Sequence, residues 1–525
     1  MAILGANFLK QAALNPDVKL RPHQQRVVDN PRDSMVIAHG VGSGKTLTSI
    51  AKFEDAKGKG RANKALVITP SGLRENYGSE GVGKFTNSRY NIVGNSAERA
   101  KKIYKGIDPD ADYNIMSYEM YRANPEKYIK ESGADTVIAD EAHKGKNEGV
   151  LTSEALKKAR PLYKNHLTLT GSLVSNGVSD ALPLVDVTTG GKHNLGEKKK
   201  DFEERFLRRS NAEKYRGMSD KRKPVVGFQN KKQLKKELSG LIDYADYEEL
   251  KEIADMPDKN ITVTKVPITK EQEKMYRGLL RENKAMKQMV KNKRLETMKD
   301  DEVASAFNKL IESRKLMNSI GSVKPGVSLS ESAKITPKTK KLLDDLEEHI
   351  KKTPDGQAVL LTNLINGGAD VLEAGLKDRK IPYGKFLGKG NKDVTEETRQ
   401  QDVRDYKGGK KRAMIVSGAG AEGLSLNNTT WEGMLDPHYN PERMNQMEAR
   451  GVRAGGLKGR DDRTVQINRY LATMPKKFGI FKSSLKTPDE VIYEISRNKD
   501  KQNQMFYDFL RENQEPISKL KGKRS

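Results

Sequence analysis

Short apolar runs alternate with longer amphipathic stretches along the first part of the chain. Each run is followed by polar or turn-forming residues, and the runs lie at 35–38 (MVIA), 65–69 (ALVIT), 114–117 (NIMS), 136–139 (TVIA) and 166–170 (HLTLT). Continuous apolar runs of this length are typical of strands that are buried on both faces of a parallel sheet. Because the runs alternate with helical stretches, they predict βαβ units and an α/β domain.

The pattern breaks in the middle of the chain and then resumes. Residues 190–258 are rich in Lys, Arg and Glu and poor in long apolar runs, and 270–298 have a strongly helical, very basic composition. A second α/β pattern starts near Ile335, and its apolar runs lie at 358–362 (AVLLT), 413–417 (AMIVS), 433–436 (GMLD) and 465–471 (VQINRYL). We therefore expect two α/β domains in tandem, with helical insertions between them.

The charge balance predicts a polyanionic binding partner. The chain has 97 Lys and Arg against 71 Asp and Glu, a net charge of +26. Such an excess, spread along the chain, favours nucleic acid, although a solubilising surface is the alternative. The absence of cysteine excludes disulfides, Cys-ligated zinc and thiol catalysis. No apolar run approaches the roughly 20 residues of a membrane span, and the start of the chain lacks the features of a signal peptide, so we expect no membrane contact.

The segment 39–46 (HGVGSGKT) directly follows the first predicted strand and precedes a helical stretch. This is the context of a phosphate-binding loop. Gly42 and Gly44 let the backbone bend close to phosphate oxygens, so Gly42, Ser43 and Gly44 are predicted to cradle them. The N–H groups at the start of the following helix favour an anion.

The last two residues of this loop predict the nucleotide and its metal ion. Lys45 is expected to bind the β- and γ-phosphates of ATP, and the hydroxyl of Thr46 to bind Mg²⁺. The usual pattern has glycine six residues before the lysine, and this chain has His39 there.

Two adjacent acids end a later predicted strand, in 136–143 (TVIADEAH). ATP hydrolysis needs one carboxylate in the Mg²⁺ shell and a second that orients or deprotonates the attacking water. Asp140 suits the first role and Glu141 the second. Alone, such a pair is equally typical of a surface turn, but the preceding phosphate loop favours the catalytic interpretation.

The motifs and their order resemble the Swi/Snf-like branch of superfamily-two helicases, from about Leu20 to Ile495. In the first half they are 20–24 (LRPHQ), 68–77 (ITPSGLRENY), 115–119 (IMSYE), 140–147 (DEAHKGKN) and 169–176 (LTGSLVSN). The resemblance implies that Gln24 contacts the adenine base and that Thr69 and Ser117 contact DNA. The last of these motifs would couple hydrolysis to lobe movement, with Ser172 where Thr is commoner.

The second half continues the resemblance. Its motifs are 359–366 (VLLTNLIN), 417–427 (SGAGAEGLSLN) and 436–456 (DPHYNPERMNQMEARGVRAGG). The resemblance implies that Thr362 and Ser417 contact DNA.

The segment 436–456 is the most specific of these motifs. In it, Gln446, Arg450 and Arg453 have the family's QxxxRxxR spacing, while Val452 and Gly456 replace its usual His and Gln. The resemblance implies that Gln446 contacts the nucleotide and that both arginines are catalytic. Arginines can stabilise the charge that phosphoryl transfer spreads over equatorial oxygens. The alternative is that they form ordinary ion pairs on a helix with the glutamates of the same segment.

The fold that this resemblance implies is two RecA-like lobes in tandem, each a parallel sheet flanked by helices. The expected first lobe is 1–268, with a basic insertion at about 190–258, and 269–330 is expected to be a helical connector or protrusion. The expected second lobe is 331–480, and 481–525 would hold C-terminal helices and a basic tail.

The function that the resemblance implies is a DNA-dependent ATPase that uses ATP and Mg²⁺ to translocate along double-stranded DNA. Binding should be sequence-independent, because phosphate contacts carry no sequence information. A strand-separating DNA or RNA helicase is one alternative, and a non-catalytic DNA-binding scaffold is another. We expect a minimal, monomeric motor in the cytoplasm of a bacterial host or phage-infected cell.

Overall fold

A computed structural model describes residues 14–516 except 41, 101–102, 143–149, 176, 213–222, 252, 254, 292–299, 389–394, 419–423, 425 and 476–484. The basic tail at the end of the chain lies outside these residues. The chain divides into two compact units, one of 1–208, 226–254 and 502–525, the other of 209–225 and 255–501. Within the described part of the chain, no helix is long and apolar enough to cross a bilayer.

The strands, in chain order, are β1 (Met35–His39), β2 (Ala65–Thr69), β3 (Tyr90–Ile92), β4 (Tyr113–Ser117), β5 (Thr136–Ala139), β6 (Asn165–Thr170), β7 (Leu207–Arg209), β8 (Val225–Phe228), β9 (Ile242–Ala245), β10 (Asp258–Pro267), β11 (Gln357–Thr362), β12 (Tyr383–Phe386), β13 (Ala413–Ser417), β14 (Thr429–Met434) and β15 (Thr464–Thr473).

The α-helices are α1 (Pro22–Asp29), α2 (Lys45–Gly58), α3 (Arg74–Tyr77), α4 (Ser96–Ala100), α5 (Tyr118–Ala123), α6 (Pro125–Ser132), α7 (Val150–Ala159), α8 (Leu182–Thr189), α9 (Lys199–Phe206), α10 (Lys231–Leu238), α11 (Tyr247–Lys251), α12 (Lys270–Glu282), α13 (Lys284–Val290), α14 (Asp300–Asn318), α15 (Leu329–Ile335), α16 (Pro337–Lys352), α17 (Asp370–Asp378), α18 (Glu396–Lys407), α19 (Pro441–Glu448) and α20 (Pro488–Glu512).

The sheet of the first unit is parallel throughout, in the order β3-β4-β2-β5-β6-β1-β9. Neighbouring residues of β2 enter different cores, because successive side chains of a strand point to opposite faces. Ala65 and Val67 pack in one hydrophobic cluster, and Leu66 and Ile68 pack in another. Both faces of the sheet are therefore covered, as the continuous apolar runs predict.

The sheet of the second unit is also parallel, in the order β10-β15-β14-β11-β13-β12. On β11, Ala358 and Leu360 enter one cluster and Val359 and Leu361 another. Starting from β12, this sheet repeats the connectivity that the first sheet has when it is followed from β3 to β1. The predicted architecture of two tandem RecA-like α/β lobes is confirmed.

Two segments lie in a different unit from the one that the sequence suggests. β10 falls within the expected first lobe, but it pairs with β15 from Asp258 opposite Thr464 to Pro267 opposite Thr473. Its residues are exposed or half-exposed, so burial in a core does not assign it to either sheet, and backbone pairing decides its place. Residues 502–516 belong to the first unit, where Tyr507 stacks on Tyr244 with ring centroids 4.6 Å apart.

Candidate nucleotide site and strand edges

The predicted phosphate loop joins β1 to α2. β1 ends at His39 and α2 begins at Lys45. Gly42 and Gly44 have φ angles of 83° and 81°, in the left-handed region that is costly for a residue with a Cβ. The Lys45 ammonium donates to the carbonyl oxygens of His39 at 3.1 Å and Gly40 at 3.4 Å. The strand–turn–helix geometry required for phosphate binding is therefore present.

The structure places Gln24 and His23 against the backbone of this loop. Gln24 Nε2 donates to the carbonyl of Gly44 at 3.3 Å, and Gln24 Oε1 accepts from the Arg21 N–H at 2.9 Å. His23 Nε2 donates to the carbonyl of Ser43 at 2.9 Å. The buried hydroxyl of Ser43 has no hydrogen-bond partner among the described residues. Recognition of a base by Gln24 stays a prediction, but its position next to the loop fits that role.

His39 stands where the usual loop has glycine, and its buried side chain explains the difference. Its Nε2 lies 2.7 Å from Oδ1 of Asp243 on β9. Arg26 binds the same carboxylate through two nitrogens, each at 2.8 Å. Burial lowers the pKa of His39, so the ring is neutral near pH 7 and donates to Asp243. The side chain ties the phosphate loop to the neighbouring strand, which glycine could not do.

The acid pair follows β5 at the same carboxyl edge of the sheet. Asp140 accepts hydrogen bonds from Thr69 Oγ1 at 3.1 Å and from the Glu141 N–H at 3.0 Å. Its own carbonyl accepts from the Tyr118 hydroxyl at 2.7 Å. Burial and the charge of Glu141 raise the pKa of Asp140 to about 6, against the opposing charge of Lys45. Glu141 has a φ of 50°, a strained conformation of the kind found where a side chain must be aimed.

Thr46 and Asp140 suit a magnesium ion chemically. Both offer oxygen, which Mg²⁺ prefers, and a buried carboxylate beside a second one is stabilised in its charged form by a cation. Within the described ranges, no group of three or more His, Cys, Asp or Glu could hold a metal ion. Mg²⁺ usually keeps several water and phosphate oxygens beside one or two protein ligands.

The four residues expected to touch DNA form two neighbouring pairs. Thr69 lies opposite Ser117 at the ends of β2 and β4, and Thr362 lies opposite Ser417 at the ends of β11 and β13. All four side chains are buried.

Each of these hydroxyls is used inside the protein. Two donate to aspartates and two accept from backbone N–H groups, namely Thr69 to Asp140, Thr362 to Asp436 at 2.6 Å, Ser117 from Met120 at 3.3 Å and Ser417 from Gly388 at 3.0 Å. Contact between these four residues and DNA stays a prediction.

The segment with the two arginines begins at a well-defined helix start. The Asn440 side chain accepts from the N–H groups of the first turn of α19, and Pro441 occupies its first position. Gln446 is half-buried on this helix.

Arg450 and Arg453 lie in the turn that follows α19. Arg450 is 8% exposed, and Arg453 donates to the carbonyl of Leu424 at 2.8 Å. Glu448 forms its ion pair with Arg469 at 2.7 Å, so it is committed to another partner. The catalytic role of both arginines and nucleotide contact by Gln446 stay predictions.

Sequence reasoning missed a contact between the end of the chain and the segment 169–176. The Val174 N–H donates to the Tyr507 hydroxyl at 3.5 Å, and Asn503 Nδ2 donates to the Val174 carbonyl at 3.4 Å. Gln514 further binds the backbone of Tyr244, the strand neighbour of the phosphate-loop strand. Asn503 and Tyr507 lie in a charged helix with no motif and Gln514 follows it, so only the structure identifies them.

Two parallel sheets of the same connectivity, one with a glycine loop beside an acid pair, define the class of tandem RecA-like P-loop proteins. The SNF2-related domain family matches residues 24–322, and the helicase conserved C-terminal domain matches residues 340–455. The first match covers more than half of the chain. The protein belongs to the SNF2-related family of helicase-type ATPases, and the resemblance seen in its motifs is confirmed.

Individual relatives are distant. A mimivirus protein named as an ATP-dependent RNA helicase is 22% identical over 94% of this chain and 98% of its own. A RAD54-like DNA repair and recombination protein of Gallus gallus is 24% identical over 86% of this chain and 64% of its own. Three further curated relatives are matched over only 22%, 39% and 20% of their length. The helicase domain of Pyrococcus furiosus Hef has the same fold, with a TM-score of 0.50 and 15% identity over 92% of this chain and all of that one.

Proposed function

We propose that the protein hydrolyses ATP with Mg²⁺ in order to translocate along double-stranded DNA, without regard to sequence. The observation that carries this proposal is the arrangement in the first unit. A loop with two left-handed glycines presents Lys45 at a helix start, and Asp140 and Glu141 lie at the same sheet edge.

The residues of this site divide the work of phosphoryl transfer. Gly42, Ser43 and Gly44 cradle the phosphates through the backbone, and Lys45 neutralises their charge. Glu141 orients the attacking water and accepts its proton. When bound by Thr46 and Asp140, Mg²⁺ would supply charge neutralisation at the phosphate oxygens.

The second unit contributes three further residues to ATP hydrolysis. Arg450 and Arg453 supply positive charge to the transferred phosphoryl group, a role that can be worth about 10³–10⁵ in rate. Gln446 contacts the nucleotide. Alternating nucleotide states change the grip of each unit on the DNA backbone, which produces movement.

DNA as the track is supported by the charge of +26 and by the chicken relative, whose name refers to DNA repair. A strand-separating helicase is the second candidate, because the mimivirus protein matched over nearly its full length is named as an RNA helicase.

One set of measurements separates these functions. Phosphate release from ATP is measured with duplex DNA, single-stranded DNA, RNA and no nucleic acid at 0.05, 0.1 and 0.2 M salt, beside a strand-displacement assay. We expect the strongest stimulation by duplex DNA, a steep loss of binding with salt and no strand displacement. Robust strand displacement, or stimulation of ATP hydrolysis by RNA alone, would favour the strand-separating helicase over duplex translocation. Nucleic acid binding without turnover would indicate a scaffold.

A further inference from the structure

Arg443 occupies a fixed position at the carboxyl edge of the second sheet. It lies on the first turn of α19, where the Asn440 side chain accepts from the N–H groups of Glu442 at 3.0 Å and Arg443 at 3.4 Å. The capped turn places this residue beside the ends of β11 and β13, next to the pair Thr362 and Ser417.

A glycine leaves room for the Arg443 guanidinium at this edge. A Cβ on Gly418 would lie 2.9 Å from both Nε and one terminal nitrogen of Arg443, and 3.0 Å from Asn363 Oδ1. The Gly418 N–H donates to the carbonyl of Thr362 at 3.2 Å. The space left by Gly418, which we call the notch, therefore lies at the end of the sheet. A larger residue at position 418 would displace the guanidinium.

The acid whose charge acts on Arg443, Asp436, already has other partners. The Asp436 carboxylate accepts from Thr362 Oγ1 at 2.6 Å, from the Asn363 N–H at 3.0 Å and from Asn318 Nδ2 at 3.3 Å. It also lies 3.6 Å from Arg314. Among the residues that the structure describes, no carboxylate forms an ion pair with Arg443.

The surroundings of Arg443 are positive. Burial and the charges of Arg443 and Arg314 lower the pKa of His438 to about 3, and Lys499 lies 4.9 Å from the centre of the Tyr439 ring. Burial also lowers the pKa of Arg443 from its usual range; Arg314 adds to this effect, and Tyr439 and Asp436 oppose it. A half-buried guanidinium with positive neighbours and no paired acid is suited to an anion that arrives from outside.

We propose that Arg443 binds a backbone phosphate of the DNA as it passes the carboxyl edge of the second sheet. This site rests on the proposed function, because that function supplies the anion. The guanidinium donates to the phosphate oxygens, which positions the strand and reads no sequence. The buried hydroxyls of Thr362 and Ser417 then contribute indirectly, because their hydrogen bonds hold the strand ends beside the notch.

The test is the salt dependence of binding between the full-length protein and a fluorescein-labelled duplex, followed by anisotropy without nucleotide. For Arg443→Ala we expect the slope of log K against log salt to fall by about one, since one phosphate contact is lost. Affinity should fall about eightfold at 0.1 M salt and approach that of the unaltered protein near 1 M. Arg443→Lys should restore most of the slope. Gly418→Ala should lower affinity because the added methyl group displaces the guanidinium.

Arg404→Ala is the matched control. Arg404 is an exposed arginine on α18 of the same unit, and among the described residues its side chain is hydrogen-bonded only to Gln401. Its removal takes away the same charge and should leave the slope unchanged.

Each other result has a defined meaning. A slope for Arg443→Ala equal to that of the unaltered protein would overturn the site. So would an equal loss in Arg404→Ala, which would indicate a general charge effect. Weaker binding of a fluorescent ATP analogue, with an unchanged salt slope, would assign Arg443 to the nucleotide instead. Failure of the unaltered protein to bind duplex DNA would overturn the proposed function together with this site. The fluorescence of Trp431 reports whether each variant is folded.

Discussion

Six strands have the same order in both sheets, yet the strands at the end of this shared order differ, because β1 leads into a phosphate loop and β10 does not. In the first unit, β1 leads through Gly42 and Gly44 into Lys45 at the start of α2. In the second unit, β10 takes the equivalent place and leads into α12, where Thr269 accepts from the Gln272 N–H in an ordinary capping box. Without left-handed glycines, the backbone at that helix start cannot wrap a phosphate. The same fold position therefore gives a nucleotide site in one unit and a helix cap in the other.

The comparison extends to the acid at the end of the middle strands. Asp140 follows β5 and Asp436 follows β14, and each accepts from the threonine that ends the adjacent strand. Asp140 accepts one further hydrogen bond and has Glu141 beside it. Asp436 is fully buried, and its carboxylate faces three further groups, Asn363, Asn318 and Arg314. Asp140 can therefore still accept bonds from a ligand or metal ion, which suits a catalytic role. The carboxylate of Asp436 is occupied by its neighbours, which suits a structural role.

Replacing the loop lysine should have the largest effect. Lys45→Ala removes the charge that faces the phosphates, so ATP turnover should fall about 1000-fold or more. Lys270→Ala is the matched control, because the exposed Lys270 holds the first position of α12 as Lys45 does of α2. Its turnover, measured as phosphate release at saturating ATP and duplex DNA, should match the unaltered protein. Equal losses in both variants would mean that the two helix starts are not functionally different.

Replacing Asp140 should affect mainly ATP turnover, and replacing Asp436 should affect mainly the stability of the fold. In Asp140→Asn the amide oxygen can still accept from the Glu141 N–H, and the amide NH₂ can donate to the Thr69 hydroxyl. We expect the free energy of unfolding to change by less than about 1 kcal/mol while turnover is lost. In Asp436→Asn the new NH₂ meets other donors and Arg314 loses its counter-charge, which should cost about 3 kcal/mol.

Urea unfolding followed through Trp431, the single tryptophan of the chain, reads the second unit directly. Hydrogen exchange of β2 and β5 reads the first unit. A loss of stability in Asp140→Asn as large as that in Asp436→Asn would remove the distinction between the two acids.

Much of this comparison can be predicted from the sequence, because the features concerned are encoded by residues that are neighbours in the chain. Apolar runs followed by Gly-rich or acidic segments locate β1, β5 and the loop between 39 and 46, because strand, turn and helix start are encoded by neighbouring residues. The family motifs further identify the acids and the two arginines as candidates.

Long-range pairing is what the sequence does not reveal. The ten residues of β10 are exposed or half-exposed, and only hydrogen bonding to β15 assigns them to the second sheet. The hydroxyls of Thr69 and Thr362 donate to aspartates that lie more than 70 residues further along the chain. The positions of Tyr507 and Arg443 likewise follow from tertiary contacts to segments with no sequence proximity.

Two buried histidines should give the units separate responses to acid. Burial lowers the pKa of His166 in the first unit and of His438 in the second to about 3, and nearby arginines contribute. Between pH 6.5 and about 3 the unfolded chain therefore binds the proton and the folded one does not, so stability falls as the pH falls. Each histidine should account for about 2 kcal/mol between pH 6.5 and 5. Unfolding of the second unit, read through Trp431, should become less pH-dependent in His438→Gln and stay unchanged in His166→Gln. The same flattening in both variants would mean that the units unfold as one.

The serines at the equivalent strand ends should show the smallest effects. Ser117 caps α5 and Ser417 accepts from the Gly388 N–H, so each replacement by alanine should cost about 1 kcal/mol of unfolding free energy. Trp431 fluorescence should detect the loss in Ser417→Ala, and hydrogen exchange of α5 the loss in Ser117→Ala. Because both hydroxyls are buried, duplex DNA affinity at 0.1 M salt should change by less than about threefold, the effect of well under one phosphate contact. A loss of DNA affinity as large as that of Arg443→Ala would show that a buried hydroxyl becomes exposed on binding. The edges of the two sheets would then open to meet DNA instead of presenting a preformed surface.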